Sequence, residues 1–468
     1  MSNINITKKD VAWSYVAKFF QIGTGFITLP LVLHLLTPEE VGMNYLMMTI
    51  SSIIGLLDFG FSPQFGRNFT YVNSGARRLL KEGVEYSDNK SIDYHLLSIL
   101  LKTARTVYQR LSIFSVALML TAGTGYIYYV TKGFTNVNNV LPIWLLFCLT
   151  SYFNIYFSYY NSLLTGSGKI AEANKAAIYS KSAYLIICIP LLLLHFGLFS
   201  IIIANFISPF VSRYYSYHVY FTEELVSILD KNIIKQEVSE MFDVIWYNAK
   251  KLGINFVGSY AINKSAMFII GFYLPLAVVG SYGLLIQLTT VLSGVAQIMF
   301  ATYSPRFSNL RVTKQDEEFK MLMGLTIGVY WIMMIIGSIV ILFGAPPVLQ
   351  LIGSKTQLPS IGVCALYLLA ITLEGNHSDF ATLIVTGNKV PFVKPSILSG
   401  LFILGFTILE LQFTNFGLIG VVFVQFIVQL AYSNWRWPKW VMDEFHMSIV
   451  DFFKYSYFAI SSKIKKYI

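Results

Sequence analysis

Ionisable side chains are few within runs apolar enough to enter a bilayer, and Lys18, Asp58, Lys264, Glu374, His377, Asp379 and Glu410 stand out. A charge at the centre of a membrane helix costs at least about 2.5–3.5 kcal/mol, so each is a functional candidate with a partner to be found. Lys264 stands alone in "SYAINKSAMFIIG", 13 residues past Lys251 and nine before Tyr273. At about 1.5 Å per residue it lies some 13 Å from the nearer helix end, too deep to snorkel easily. It is either a cation for an anionic substrate or the partner of a buried acid, Glu374 or Glu410. "TLEGNHSDF", 372–380, is the most polar stretch inside any such run. Glu374, His377 and Ser378 share a helical face by their i, i+3, i+4 spacing. Desolvated carboxylates suit proton coupling, and Na⁺ coordination is the rival role for Glu374 and Asp379. Gly375 is placed to allow a local break. Asp58 and Lys18 sit at similar depth in neighbouring runs and can form a structural pair; a shared role with Arg67 at the mouth of a cavity is the alternative for Asp58. Glu410 lies near a helix end and is expected to be exposed.

These residues are carried by a chain of 468 residues, 55% hydrophobic and 12% charged. A soluble globular protein carries about 25% charged residues. Twelve stretches reach the roughly 20 apolar residues that span a bilayer: 12–35, 41–62, 111–131, 141–163, 176–195, 197–218, 252–273, 277–301, 321–344, 361–385, 396–413 and 416–435. With the termini on one side, 30 of the 34 Lys and Arg residues fall in segments on that side. These include Arg67, Lys169, Lys175, Lys181, Arg213 and Arg306. Only Lys132 and Lys355 face the other way, while Lys18 and Lys264 lie within spans. The asymmetry is a positive-inside signature, which places both termini in the cytoplasm. The net charge of +10 is therefore a topology signal and not a nucleic-acid surface. Within the long inside segment 63–110, "LLSILLKTARTVYQRL" has the pattern of a basic amphipathic helix resting on the inner leaflet.

The chain repeats itself. "LLTGSGK", 163–169, matches "LIVTGNK", 383–389, and "FGLFSIIIANFI", 196–207, matches "FGLIGVVFVQFI", 416–427. "LTPEEVG", 36–42, matches "LPLAVVG", 274–280, and "SPQF", 62–65, matches "SPRF", 304–307. All four pairs keep their place in the span order. The expected organisation is a six-helix half over 1–218, a cytoplasmic linker over 219–250, a second half over 251–436 and a basic tail over 437–468. Six is even, so the halves enter from the same side as parallel repeats, an arrangement of transporters built around a central cavity. "GSGK" lacks the GxxxxGK[ST] spacing of a nucleotide loop. Cys148, Cys188 and Cys364 have no metal-ligand spacing and read as small buried hydrophobes. The aromatic stripe "SYFNIYFSYYN", 151–161, reads as helix packing, with stacking on sugar rings as the alternative.

The opening "KFFQIGTGFITLPLVLHLLTPEEVGMNYLMMTISSIIGLLDFGFSPQFGRNFTYVNSGA", 18–76, resembles the start of a Wzx-type polysaccharide flippase, through its "LTPEEVG" turn, its "LLDFGF" and the following "RN…SGA". "LLTGSGK…FGL" fits the same group. The resemblance implies membership of the MATE-like multidrug/oligosaccharidyl-lipid/polysaccharide exporter superfamily. It implies an all-α polytopic protein of twelve transmembrane helices, as two six-helix repeats around a central cavity. It also implies a flippase that moves an undecaprenyl-pyrophosphate-linked oligosaccharide across the bacterial inner membrane. Lys264, Lys18, Arg67 and Arg306 would then attract the anionic head group, and Glu374, Asp379, His377 and Asp58 would couple transport to H⁺ or Na⁺. No cofactor is expected. The implied partners are the lipid bilayer, the lipid-linked oligosaccharide and other polysaccharide assembly proteins, with no nucleic acid. Residues 11–36 lack the acid that drug-exporting relatives place in the first span, and 277–301 lacks the arginine of peptidoglycan-precursor flippases. A cation-coupled drug exporter of the same fold is the nearest rival. A membrane-embedded polymerase or sugar transferase is less supported, because the outside loops are too short for a catalytic surface.

Overall fold

The computed structural model describes residues 8–81, 91–230, 232–263, 265–301, 303, 307, 310, 315–386 and 391–465. Regular structure among them is entirely helical. Contacts divide the chain into two compact units, Met1–Val257 and Gly258–Ile468.

In the first unit, α1 (Lys8–Leu35) turns sharply into α2 (Pro38–Gly55). The turn is fixed by a capping box: the Glu40 amide donates to Thr37 Oγ1 (3.2 Å) and the Thr37 amide to Glu40 Oε2 (2.9 Å), with Pro38 at the first helical turn. The expected second span, 41–62, is not continuous. A 3₁₀ turn at Leu56–Asp58 leads into Phe59 (φ 45°) and Gly60 (φ 80°), and α3 (Phe61–Asn73) starts in a new direction. Next, α4 (Tyr94–Leu118) passes through a π turn at Met119–Gly123 into α5 (Thr124–Val130). The basic stretch 96–111 is thus not a separate helix on a leaflet. It is the first half of α4, with Leu97, Leu100, Ala104 and Tyr108 buried. The unit is completed by α6 (Val140–Phe157), α7 (Tyr159–Gly166), α8 (Ile170–Leu193), α9 (Leu198–Tyr220), the short α10 (Glu223–Ile228) and most of α11 (Lys235–Asn263).

One core of this unit gathers Phe61, Phe65, Phe69, Leu97, Tyr108 and Leu163 with Met241, Ile245 and Ala249 of α11. The linker is therefore packed into the first unit. Gly166 of α7 lies so close to the Gly66 carbonyl and Phe69 that a Cβ there would collide with backbone.

The second unit contains α12 (Ser265–Tyr273), α13 (Leu276–Ala296) and α14 (Asp316–Ile339), the last passing through a π turn at Val340–Gly344 into α15 (Ala345–Leu351). Then follow α16 (Ile361–Val385), α17 (Val393–Phe413), α18 (Leu418–Ala431), α19 (Ser433–Glu444) and α20 (Ile449–Lys465). Its core joins Phe307, Phe319, Met323, Phe380, Leu383, Trp437, Val441 and Phe445. Phe65 and Phe307, the last residues of the two SPxF matches, are each fully buried.

Nine helical segments among the described residues are long and apolar enough to cross a membrane. The other three expected spans coincide with α1, whose apolar part is the shorter Phe19–Leu35, with α11–α12, and with α16, whose hydropathy the polar run 372–380 dilutes. Exposed apolar side chains run along these helices, including Ile335, Ile336 and Ile339 on α14, Phe343 in the π turn that follows it, and Leu398, Leu401, Phe402 and Phe406 on α17. Such surface is stable only in lipid. The protein is an integral membrane protein.

Candidate functional site

The polar run on α16 is embedded in the second unit, and each of its groups meets a different helix. Gln425 Nε2 of α18 donates to Glu374 Oε2 at 3.2 Å. Trp331 Nε1 of α14 donates to Asn376 Oδ1 at 2.8 Å. His377 Nδ1 lies 2.7 Å from Asn434 Oδ1 of α19. Asp379 is 4% exposed, and its Oδ2 has no hydrogen-bond partner among the described residues. Gln429 Oε1 and Asn434 Nδ2 are buried and unpartnered in the same way. Burying such groups unpaired is costly, so α16, α18 and α19 hold polar capacity that their own contacts do not use. Such groups have the chemistry to take up a proton or hold a cation.

Gly375 does not break α16, which runs helical from Ile361 to Val385. Its missing side chain instead admits the Tyr330 ring, whose hydroxyl donates to the Thr372 carbonyl at 2.9 Å. Glu410, expected to be exposed, is buried at 8%. Thr414 Oγ1 donates to its Oε1 at 2.9 Å, and the carboxylate packs over Gly420. The two helices of the α17–α18 hairpin close over it, which hydropathy along the chain does not register.

In the first unit, Asp58 is held by α3 and α4. Tyr108 donates to its Oδ1 at 2.6 Å and the Ser62 amide to its Oδ2 at 3.1 Å. The carboxylate thereby caps the first turn of α3 and ties it to α4. The expected partner Lys18 lies on α1, but its side chain is outside the described residues, as are Lys264 and Arg306 altogether. Arg67 is exposed on α3. The structure thus brings together Glu374, His377 and Asp379 on α16 and places Asp58 in a separate setting in the first unit.

Two cations were missed as site residues. Lys181 and Arg213, counted in the sequence among the inside-facing charges, lie within α8 and α9. Both border a cavity of about 410 Å³ between α1, α6, α7, α8 and α9. The available signal was their numbering: both fall inside the expected spans 176–195 and 197–218. The aromatic stripe is mainly packing: Phe153 and Phe157 interlock with Phe206 and Phe210, and Tyr159 stacks on Tyr160. Its Asn154, Phe157, Tyr160 and Asn161 also line the cavity. The three cysteines are buried and unpaired, and no group of His, Cys, Asp or Glu among the described residues has the clustering to hold a metal ion.

The fold defined by these helices is that of MATE transporters and MurJ. The structure is similar to lipid II flippase MurJ in its inward closed conformation, with a TM-score of 0.64 and 13% identity, covering 96% of this chain and 91% of that one. It is also similar to an inward-facing multidrug resistance MATE family transporter of the MOP superfamily (TM-score 0.57, 12% identity, 92% of this chain and 95% of that one). A third similar structure is the MATE multidrug transporter DinF-BH in a ligand complex (TM-score 0.55, 15% identity, 97% and 98%). At these identities the likeness establishes the fold. No protein-family model and no curated protein matches the chain.

Proposed function

We propose that the protein is a flippase that carries an undecaprenyl-pyrophosphate-linked oligosaccharide from the cytoplasmic to the periplasmic leaflet by alternating access, coupled to H⁺ or Na⁺. The observation that carries this reading is the joint occurrence of a fold similar, over 96% of the chain, to a protein named lipid II flippase and an opening that resembles Wzx-type flippases. Glu374 and Asp379 take the coupling ion, with His377 and Asp58 in support. Lys264, with Lys18, Arg67 and Arg306, attracts the anionic head group. No covalent step is required, and the neighbours named above are transporters and a flippase. The host membrane in this reading is the bacterial inner membrane, with cytoplasmic termini and polysaccharide assembly proteins as partners.

A second reading, a cation-coupled multidrug exporter, is favoured by the likeness to two MATE transporters. A lysine-bearing substrate path disfavours cationic drugs. Reconstitution into liposomes separates the two. Translocation of a lipid-linked oligosaccharide without efflux of a cationic fluorescent dye is expected; dye efflux without translocation overturns the flippase reading. Lys264→Ala should abolish translocation at normal membrane insertion, and full activity in that variant removes Lys264 from the substrate path.

A further inference from the structure

The cavity in the first unit has an unusual wall. Among the described residues it carries two cations, Lys181 from α8 and Arg213 from α9, and no Asp or Glu. Among the described residues neither cation has a carboxylate partner. Their recorded contacts are aromatic: Lys181 Nζ lies 5.6 Å from the Tyr184 ring centre, and Arg213 Cζ lies 5.5 Å from Phe157 and 5.8 Å from Tyr217. The acid on α8, Glu172, is already engaged by Lys175 Nζ at 2.8 Å and by the Tyr215 hydroxyl. Rings attract a cation but neither neutralise it nor satisfy its donors.

Lys181 is 11 residues from the start of α8 at Ile170 and half-buried, while Arg213 is seven residues from the end of α9 at Tyr220 with its side chain exposed. Cations within membrane helices mark substrate or ion pathways. The space exists because facing residues are small: Ala173 and Ala177 on α8, Ser212 and Ser216 on α9. Its volume lies within the roughly 300–1,000 Å³ of small-ligand pockets. Gln21, Asn154 and Asn161 add amides that both donate and accept, beside the Phe157 and Tyr160 rings.

We propose that this cavity is an oxyanion site of the transport path, in which Lys181 and Arg213 hold a phosphoryl or carboxylate group of the glycolipid. The amides of Gln21, Asn154 and Asn161 bind adjoining sugar hydroxyls. The ligand's identity rests on the flippase reading; the anion chemistry of the site does not. Arg213 supplies a planar fork for two oxygens and Lys181 a point charge, a combination suited to phosphoryl or carboxylate groups.

The test is calorimetric titration of the purified full chain in lipid nanodiscs, at constant ionic strength, with inorganic pyrophosphate, glucuronate and glucose. Saturable binding of one or both anions, stronger than glucose, is expected. Pyrophosphate preference assigns the site to the lipid's phosphates, glucuronate preference to an acidic sugar. Lys181→Gln and Arg213→Gln should each weaken anion binding about tenfold or more, the size of a charge-assisted hydrogen bond. Arg213→Lys should recover part of it, and Lys439→Gln, on exposed α19 surface, should change nothing. No anion binding by the unaltered protein, or equal binding by both glutamine variants, overturns the proposal. Should those variants fail to fold, the unaltered protein decides: a saturable rise of its unfolding temperature with either anion supports the site, and no rise overturns it. Anion binding without translocation in the liposome assay fails the flippase reading and leaves the site standing; translocation without anion binding does the reverse.

Discussion

Gly197 and Gly417 hold the same backbone conformation, φ 58° with ψ −140° and −132°, each at the N-cap of the sixth helix of its repeat. This region of backbone space is nearly closed to side chains, so the two FGL matches are a shared turn and not a chance of composition. The turn is secured differently in the two copies. Glu40 Oε1 accepts from the Leu198 amide at 3.2 Å beside Gly197, whereas Leu274 packs beside Gly417. Val278 replaces the acid at the matching position of the second copy.

Replacing either glycine is therefore destabilising. Gly417→Ala should cost about 1–3 kcal/mol, the usual strain of a forbidden backbone region. Gly197→Ala should cost more, because Glu40 occupies the place of its Cβ. Chemical unfolding in detergent measures both, and equal stability of Gly197→Ala and the unaltered protein refutes the account.

Asp379→Asn tests the cost of an unpartnered carboxylate. The amide is smaller in charge penalty and similar in shape, so the variant should unfold a few degrees higher, consistent with a gain of about 1 kcal/mol or more. Its ion-gradient-driven translocation should fall at least tenfold in liposomes. A variant that is both destabilised and fully active contradicts the coupling role.

The Asp58–Tyr108 hydrogen bond should show as coupling in a double-mutant cycle. Asp58→Asn and Tyr108→Phe are each expected to cost about 1.5–3 kcal/mol, and the double variant less than their sum. Strict additivity in equilibrium unfolding would show that the bond contributes nothing.

The linker offers a pH-dependent contact. His95 Nδ1 meets Asp230 Oδ2 and His95 Nε2 meets Glu237 Oε1, both at 3.0 Å, while Lys102 donates to the Ile233 carbonyl at 2.8 Å. The Asn232 amide and then His95 hold the Asp230 carboxyl below its ordinary value. A depressed acid stabilises the folded contact at neutral pH and loses that contribution as pH falls through its folded value. Hydrogen-exchange protection of residues 232–238, corrected for intrinsic rates, should thus drop below about pH 4. Asp230→Asn should lower it already at pH 7; unchanged protection in that variant rules the contact out.

Much of this architecture was written in the sequence, and the exceptions share a cause. Span lengths, the repeats and the embedded run 372–380 depend on hydropathy along the chain, which sequence reports directly. The break after Asp58 depends on two left-handed residues, Phe59 and Gly60, and only the glycine advertises it. The inward side of α4 reads as a lipid-surface helix because Leu97, Leu100 and Val107 are apolar whatever covers them; the cover is α3 and α11. Glu410 depends on which neighbour a side chain meets, a property of packing between segments, whereas Lys181 and Arg213 were legible as charges inside expected spans and only the cavity they border was not. Gly375 matched a helix breaker in type and turned out to make room for Tyr330.

The π turns belong to the repeat. Met119–Gly123 and Val340–Gly344 occur in the third helix of each copy, in the same register that relates Thr165 to Thr386. A π turn is what an α-helix does with one surplus residue. Because both halves carry it at one register, the repeat extends to an irregularity of the helix as well as to the spans and turns.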